Sequence, residues 1–132
     1  MRRAVFLAAA LAASAAAEAP SPPEVHFDVP QDKGPQQVTV TTREFPVGGS
    51  SGWHIHAGVE IGQLVSGQLM LEQEGRPARR LSPGDSMIVP RGVAHNGVNI
   101  GSVPARLAIT FVTDKDTPLR TPVPPPGAHA GH

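Results

Sequence analysis

Fifteen prolines and fourteen glycines are spread through 132 residues, and after residue 20 they leave no stretch long enough for sustained helical periodicity. Proline removes a backbone donor and glycine weakens regular structure, so their dense spacing cuts the chain into short pieces. Between the breaks lie short runs of Val, Ile, Leu, Thr and Phe, the pattern of an all-β sandwich or barrel. Alternation and flanking turns predict strands over residues 37–45, 59–65, 68–73, 78–81, 86–89, 93–100 and 105–113, with an edge strand at 25–29 that carries His26 as a surface residue. With a short strand around residues 54–56 this makes eight or nine strands, which suits a jelly roll. Ser66-Gly67 predicts a hairpin between two of them, and Ser82-Pro83-Gly84-Asp85 a turn closed by Asp85.

The two ends differ from this middle. Arg2 and Arg3 precede an apolar run over residues 4–13 and small-x-small sites at residues 15–19, the order found in an export signal. Residues 1–19 are therefore read as a signal peptide, which places the mature protein in the periplasm or outside the cell. The run is too short for a permanent membrane span. Residues 20–35 form an N-terminal arm and 36–114 a β-barrel domain. From Asp114 the chain turns polar and then Pro-rich, so residues 115–132 are read as an extended arm or disordered tail, with His129 and His132 incidental. Removal of residues 121–132 is accordingly expected to change little.

Cysteine is absent, which excludes disulfides, thiolate metal sites and a cysteine nucleophile. Eleven basic and eleven acidic residues cancel, and no basic block follows the signal; nucleic acid and anionic membrane are not expected partners.

The chemistry concentrates in two stretches. In the first, His54 and His56 stand two residues apart. On an extended strand such side chains share a face, so both rings can aim at one ion. Glu60 joins them if the chain turns at Ala57-Gly58. In the second stretch His95 follows a Pro90-Arg91-Gly92 turn. Three imidazoles and a carboxylate suit Fe, Mn, Ni, Cu, Co or Zn and disfavour Mg or Ca.

Both stretches resemble the conserved motifs of the cupin family. Gly48, His54, His56, Glu60 and Gly67 fall on the first motif, and Gly84, Pro90, Gly92, His95 and Asn99 on the second, with sixteen residues between Gly67 and Gly84 as in small microbial cupins. The resemblance implies a cupin-type double-stranded β-helix, a jelly-roll barrel holding one divalent transition metal on His54, His56, Glu60 and His95. Four protein ligands leave room on a six-coordinate ion for a small-molecule ligand or substrate. Similarity to quercetin dioxygenase-like single-domain cupins implies a metal-dependent oxidoreductase acting on a small oxygen-rich molecule, with Glu60 as ligand and candidate base. A non-catalytic ligand- or metal-binding cupin, and a metal-dependent isomerase or decarboxylase, fit the same residues. By analogy with small cupins that pair, a homodimer is expected. Asn99 is read as a backbone-fixing residue, Trp53 as pointing away from the metal, and Met70 and Phe111 as core or cavity lining.

Overall fold

The computed structural model describes His26 and residues 34–127. Nine strands lie among the described residues: β1 (Gln36–Phe45), β2 (His54–Ile55), β3 (Gly58–Ser66), β4 (Leu69–Gln73), β5 (Arg79–Leu81), β6 (Ser86–Val89), β7 (His95–Asn99), β8 (Ala105–Asp114) and β9 (Thr121–Pro122). They form two antiparallel sheets, one ordered β1-β8-β3-β6 and the other β5-β4-β7-β2-β9. The all-β jelly-roll expectation holds. The strand read at residues 25–29 falls outside the described residues, apart from exposed His26.

Alternation along the strands builds the core. On β8 every second residue from Ala105 to Thr113 is buried. Ala105, Leu107, Ile109 and Phe111 of that row share the core with Leu64 of β3, Leu69 and Leu71 of β4, and Leu81, Met87 and Val89 from the opposite edges. Burial of this apolar surface between two sheets is the main stabilising term. On β1 the alternation carries polar residues inward instead. Phe45 is buried and Arg43 half-buried, while Val38 and Val40 face solvent.

One expected connection is corrected. Ser66-Gly67 does not close a hairpin, because β3 is hydrogen-bonded to β8 and β6, while β4 lies between β5 and β7 in the other sheet. The chain crosses from sheet to sheet here. A register shift lies between Leu64 and Ser66, and Gly67 turns with φ +81°. A Cβ at Gly67 would stand 2.7 Å from the Ala105 Cα, so this crossing requires glycine.

The arm after Asp114 is extended, and part of it is docked. His54 and Ile55 of β2 pair with Pro122 and Thr121 of β9, and the Val123 amide donates to the Trp53 carbonyl over 3.0 Å. Leu119 and Arg120 are thereby held against the interior of the barrel.

Candidate metal centre

Each sheet contributes part of one site. β2 and β7 run side by side with His54 opposite His95, and His56 follows directly after β2. Glu60 enters from the other sheet, where β3 pairs it with Phe111 of β8 and Val89 of β6. Close packing at Gly58 sets this entry: a Cβ there would meet the Val112 carbonyl oxygen at 2.0 Å. The two sequence stretches are also joined directly, since the Gly92 amide of the Pro-Arg-Gly turn donates to the His56 carbonyl over 3.0 Å.

His54, His56, Glu60 and His95 are all buried, and one ligand-type atom from each lies within 4.8 Å of the others. All four side chains expected at the site are thus brought together. The ring centroids are 4.2–5.0 Å apart. Two donors each about 2.1 Å from a common ion stand at most about 4.2 Å apart, so the widest-spaced pair reaches ligand geometry by closing at least about 0.6 Å.

The tautomers argue the same way. Each Nδ1 faces a backbone carbonyl: His54 the Gly52 oxygen at 2.7 Å, His56 the Leu119 oxygen at 2.5 Å and His95 the Val93 oxygen at 2.9 Å. A carbonyl only accepts, so each Nδ1 carries a proton and a neutral ring presents its lone pair at Nε2. Yet Nε2 of His56 and of His95 stand 2.9 and 2.8 Å from Oε2 of Glu60. Two lone pairs at that separation repel unless a cation, proton or metal, lies among them. The carbonyls therefore do what outer partners of ligating histidines do: they fix the ring and aim its free nitrogen.

Electrostatics sharpens the picture. Burial pushes the Glu60 carboxyl up, but the close contacts with the His56 and His95 imidazoles more than reverse this and hold it at about 2. It stands ready as an anionic ligand. Burial draws the His54 imidazole down from 6.5 to about 4, despite its bond to Gly52, with His95, Arg120 and His56 adding to the fall. A stability profile follows for the metal-free protein. Above pH 6.5 His54 is neutral whether folded or unfolded. Between 6.5 and about 4 only the unfolded chain takes up the proton, so stability falls as the pH falls through that window. Urea midpoints of EDTA-treated protein should drop from pH 7 to pH 4, and the His54→Asn variant should show a shallower drop; equal slopes would reject this account.

The ligand group lies in a cavity of about 220 Å³ with mainly apolar walls, among them Leu69, Leu71, Met87 and Ile109. Phe111 also lines it, with its ring 4.8 Å from that of His56. Met70 is half-buried on the other side of β4 from Leu69 and Leu71. Trp53 is half-buried and absent from the cavity lining. Asn99 fixes backbone as expected, donating to the Phe45 and Val103 carbonyls at 3.0 and 2.8 Å and accepting from Gly101 at 2.8 Å. Asp85 closes its turn by accepting from the Ser82 amide at 2.8 Å.

Several site residues escape a reading of the sequence. Asn96, next to His95, accepts from Ser50 at 2.7 Å and from Ser51 at 3.3 Å, pinning the loop ahead of β2. Its amide donates to Glu72 over 2.8 Å. Arg43 and Arg120 line the cavity, and Leu119 supplies the carbonyl behind His56. Alternation along residues 37–45 does place Arg43 on the face of Phe45; nothing local marks residues 119 and 120.

Comparison with known proteins agrees with the architecture. Residues 41–113 match the family model described as a cupin domain. Oxalate oxidase 1 of Hordeum vulgare is 26% identical over 107 residues, covering 65% of this chain and 53% of that protein. Among solved structures, an oxalate oxidase in complex with the substrate analogue glycolate superposes with a TM-score of 0.57 at 24% identity, over 66% of this chain and 52% of that one. The DMSP lyase DddQ of Ruegeria pomeroyi superposes with a TM-score of 0.60 at 27% identity, over 68% of this chain and 45% of that one. The chain spans about half the length of the curated relative it matches.

Proposed function

The chain belongs to the cupin family, and from that membership we propose that it is a metal-dependent oxidoreductase of dioxygenase-like type, acting on a small oxygen-rich molecule. His54, His56, Glu60 and His95 hold one divalent transition ion, drawn from Fe, Mn, Ni, Cu, Co and Zn. The observation that carries this reading is the set of three imidazoles, each anchored at Nδ1 by a carbonyl, two of them turning Nε2 onto one carboxylate oxygen. Such an ion, when bound, supplies Lewis-acid polarisation of a ligand oxygen and, if redox-active, a route to dioxygen chemistry.

The protein's own residues supply the rest. The apolar walls exclude water and strengthen electrostatics inside the cavity. Both imidazole bonds to Glu60 fall on Oε2. Oε1 carries neither contact and is the atom placed to accept a proton from a bound substrate. A cavity of about 220 Å³ is below the roughly 300–1,000 Å³ of drug-sized sites, which favours a compact substrate. With residues 1–19 acting as an export signal, the mature protein works in the periplasm or outside the cell.

A second reading, a cupin that binds metal or ligand without turnover, is favoured by one observation. Among the described residues Glu60 is the only carboxylate lining the cavity, and no tyrosine exists in the chain. Elemental analysis of purified protein and oxygen uptake with small enediol compounds separate the two. Fe or Mn with oxygen consumption supports the oxidoreductase. Stoichiometric Zn or Ni with no turnover across the panel supports the binding protein, and an absence of metal after loading overturns the oxidoreductase and any metal-binding role.

A further inference from the structure

Two cations share the cavity with the metal-ligand group. Arg43 reaches it from β1 and Arg120 from the residue before β9, the end strands of the two sheets. Both are half-buried, beside exposed Thr41, Thr42 and Leu119, so they stand where the cavity opens to solvent. Each is held in place by a contact that leaves most of its donors free. The Arg43 guanidinium lies 5.1 Å from the centre of the Phe45 ring, and Arg120 donates one bond, over 2.8 Å, to the Ser51 carbonyl. Among the described residues neither has a carboxylate within ion-pair distance, unlike Arg91, which is paired with Asp114 at 2.7 Å.

Half-buried arginines in an apolar cavity are normally paired, because an uncompensated charge is costly there. Here like charges face one another. Burial and the repulsion of Arg43 lower the Arg120 pKa, and only Glu60 opposes the trend. Among the described residues, two guanidiniums against the single carboxylate of Glu60 give the cavity an excess of positive charge, and a divalent ion would add to it. An anion between the two arginines removes the repulsion and uses their planar donor forks, which match carboxylate geometry.

We propose that Arg43 and Arg120 form a carboxylate-recognition lip, so that the ligand of this site is a small organic acid with its carboxylate between the two guanidiniums and its other oxygens toward the ligand group. The proposal rests on the metal-centre reading for the orientation of the ligand, and on the two arginines alone for its charge.

The test uses the metal-loaded full chain and titration calorimetry with malonate and glycolate against their neutral amides, malonamide and glycolamide, and against inorganic phosphate. The acids should bind at least about tenfold tighter than the amides and tighter than phosphate. Arg43→Gln should weaken acid binding about tenfold or more, with bound metal unchanged and little effect on the amides. Arg120→Gln should also weaken acid binding, and Arg106→Gln, which removes an exposed charge from β8, should not. Equal affinity for acid and amide, tighter phosphate, or undiminished acid binding by Arg43→Gln overturns the proposal. A wild type that carries no metal yet still loses acid binding through Arg43→Gln overturns the metal-centre reading while supporting the lip.

Discussion

Replacing His95 by alanine should strip the protein of stoichiometric metal and lower its melting temperature in the presence of that metal. His95 is buried and stands at the junction of the site, opposite His54 across the β2–β7 pair and 2.8 Å from Oε2 of Glu60. Losing one of four ligands should reduce affinity by more than the roughly 10–100-fold that follows removal of an outer partner. Bound metal stabilises the folded state by mass action. A hundredfold loss of affinity, at saturating metal, therefore removes about 2.7 kcal/mol, on the order of 10–20 °C for a domain of this size. Metal-free wild type separates this effect from simple packing damage. If metal-stripped wild type and metal-stripped His95→Ala melt within a few degrees of each other while the loaded proteins differ widely, the ion carries the difference. Unchanged metal content in His95→Ala would remove His95 from the ligand set. His56→Ala should behave in the same way.

Deleting residues 119 onward should also weaken metal binding, by about 10–100-fold, although the deletion touches none of the four ligands. Three contacts are lost at once: the Leu119 carbonyl on Nδ1 of His56, the pairing of β9 with β2 beside His54, and the Arg120 bond to Ser51. Without the carbonyl His56 is free to rotate and to change tautomer. Deleting only residues 128–132, which removes His129 and His132, should leave binding intact, as a zinc or manganese titration of both truncations would check. Equal affinity in the two would mean that the docked segment has no hold on the site. This outcome reverses what the composition of the tail suggests, since a Pro-rich stretch reads as an arm with nothing to do.

The reason for that reversal shows what local sequence can carry. The candidate ligand group is legible because strand periodicity and turn chemistry act over a few residues. His54 and His56 share a face by alternation, and Pro90-Arg91-Gly92 sets the bend ahead of His95. The strands from residue 36 to residue 114 are legible for the same reason. Pairing is not. Ser66-Gly67 shows that the chain turns, but whether β4 returns beside β3 depends on which strands already occupy β3's two edges, and those are β6 and β8, far along the chain. The role of Leu119 is equally invisible, because a backbone carbonyl has no side-chain signature. Arg43 lies between the two cases: alternation puts it on the inward face with Phe45, yet an inward arginine becomes meaningful only once Arg120 is seen lining the same cavity.

The docking of Leu119 behind His56 has a temporal side. Leu119 follows His54, His56, Glu60 and His95 in the chain. A nascent polypeptide that already displays all four ligands still lacks the acceptor that steadies one of them. A product that ends before Leu119 would lack that acceptor, and is expected to hold an ion less tightly than the finished chain.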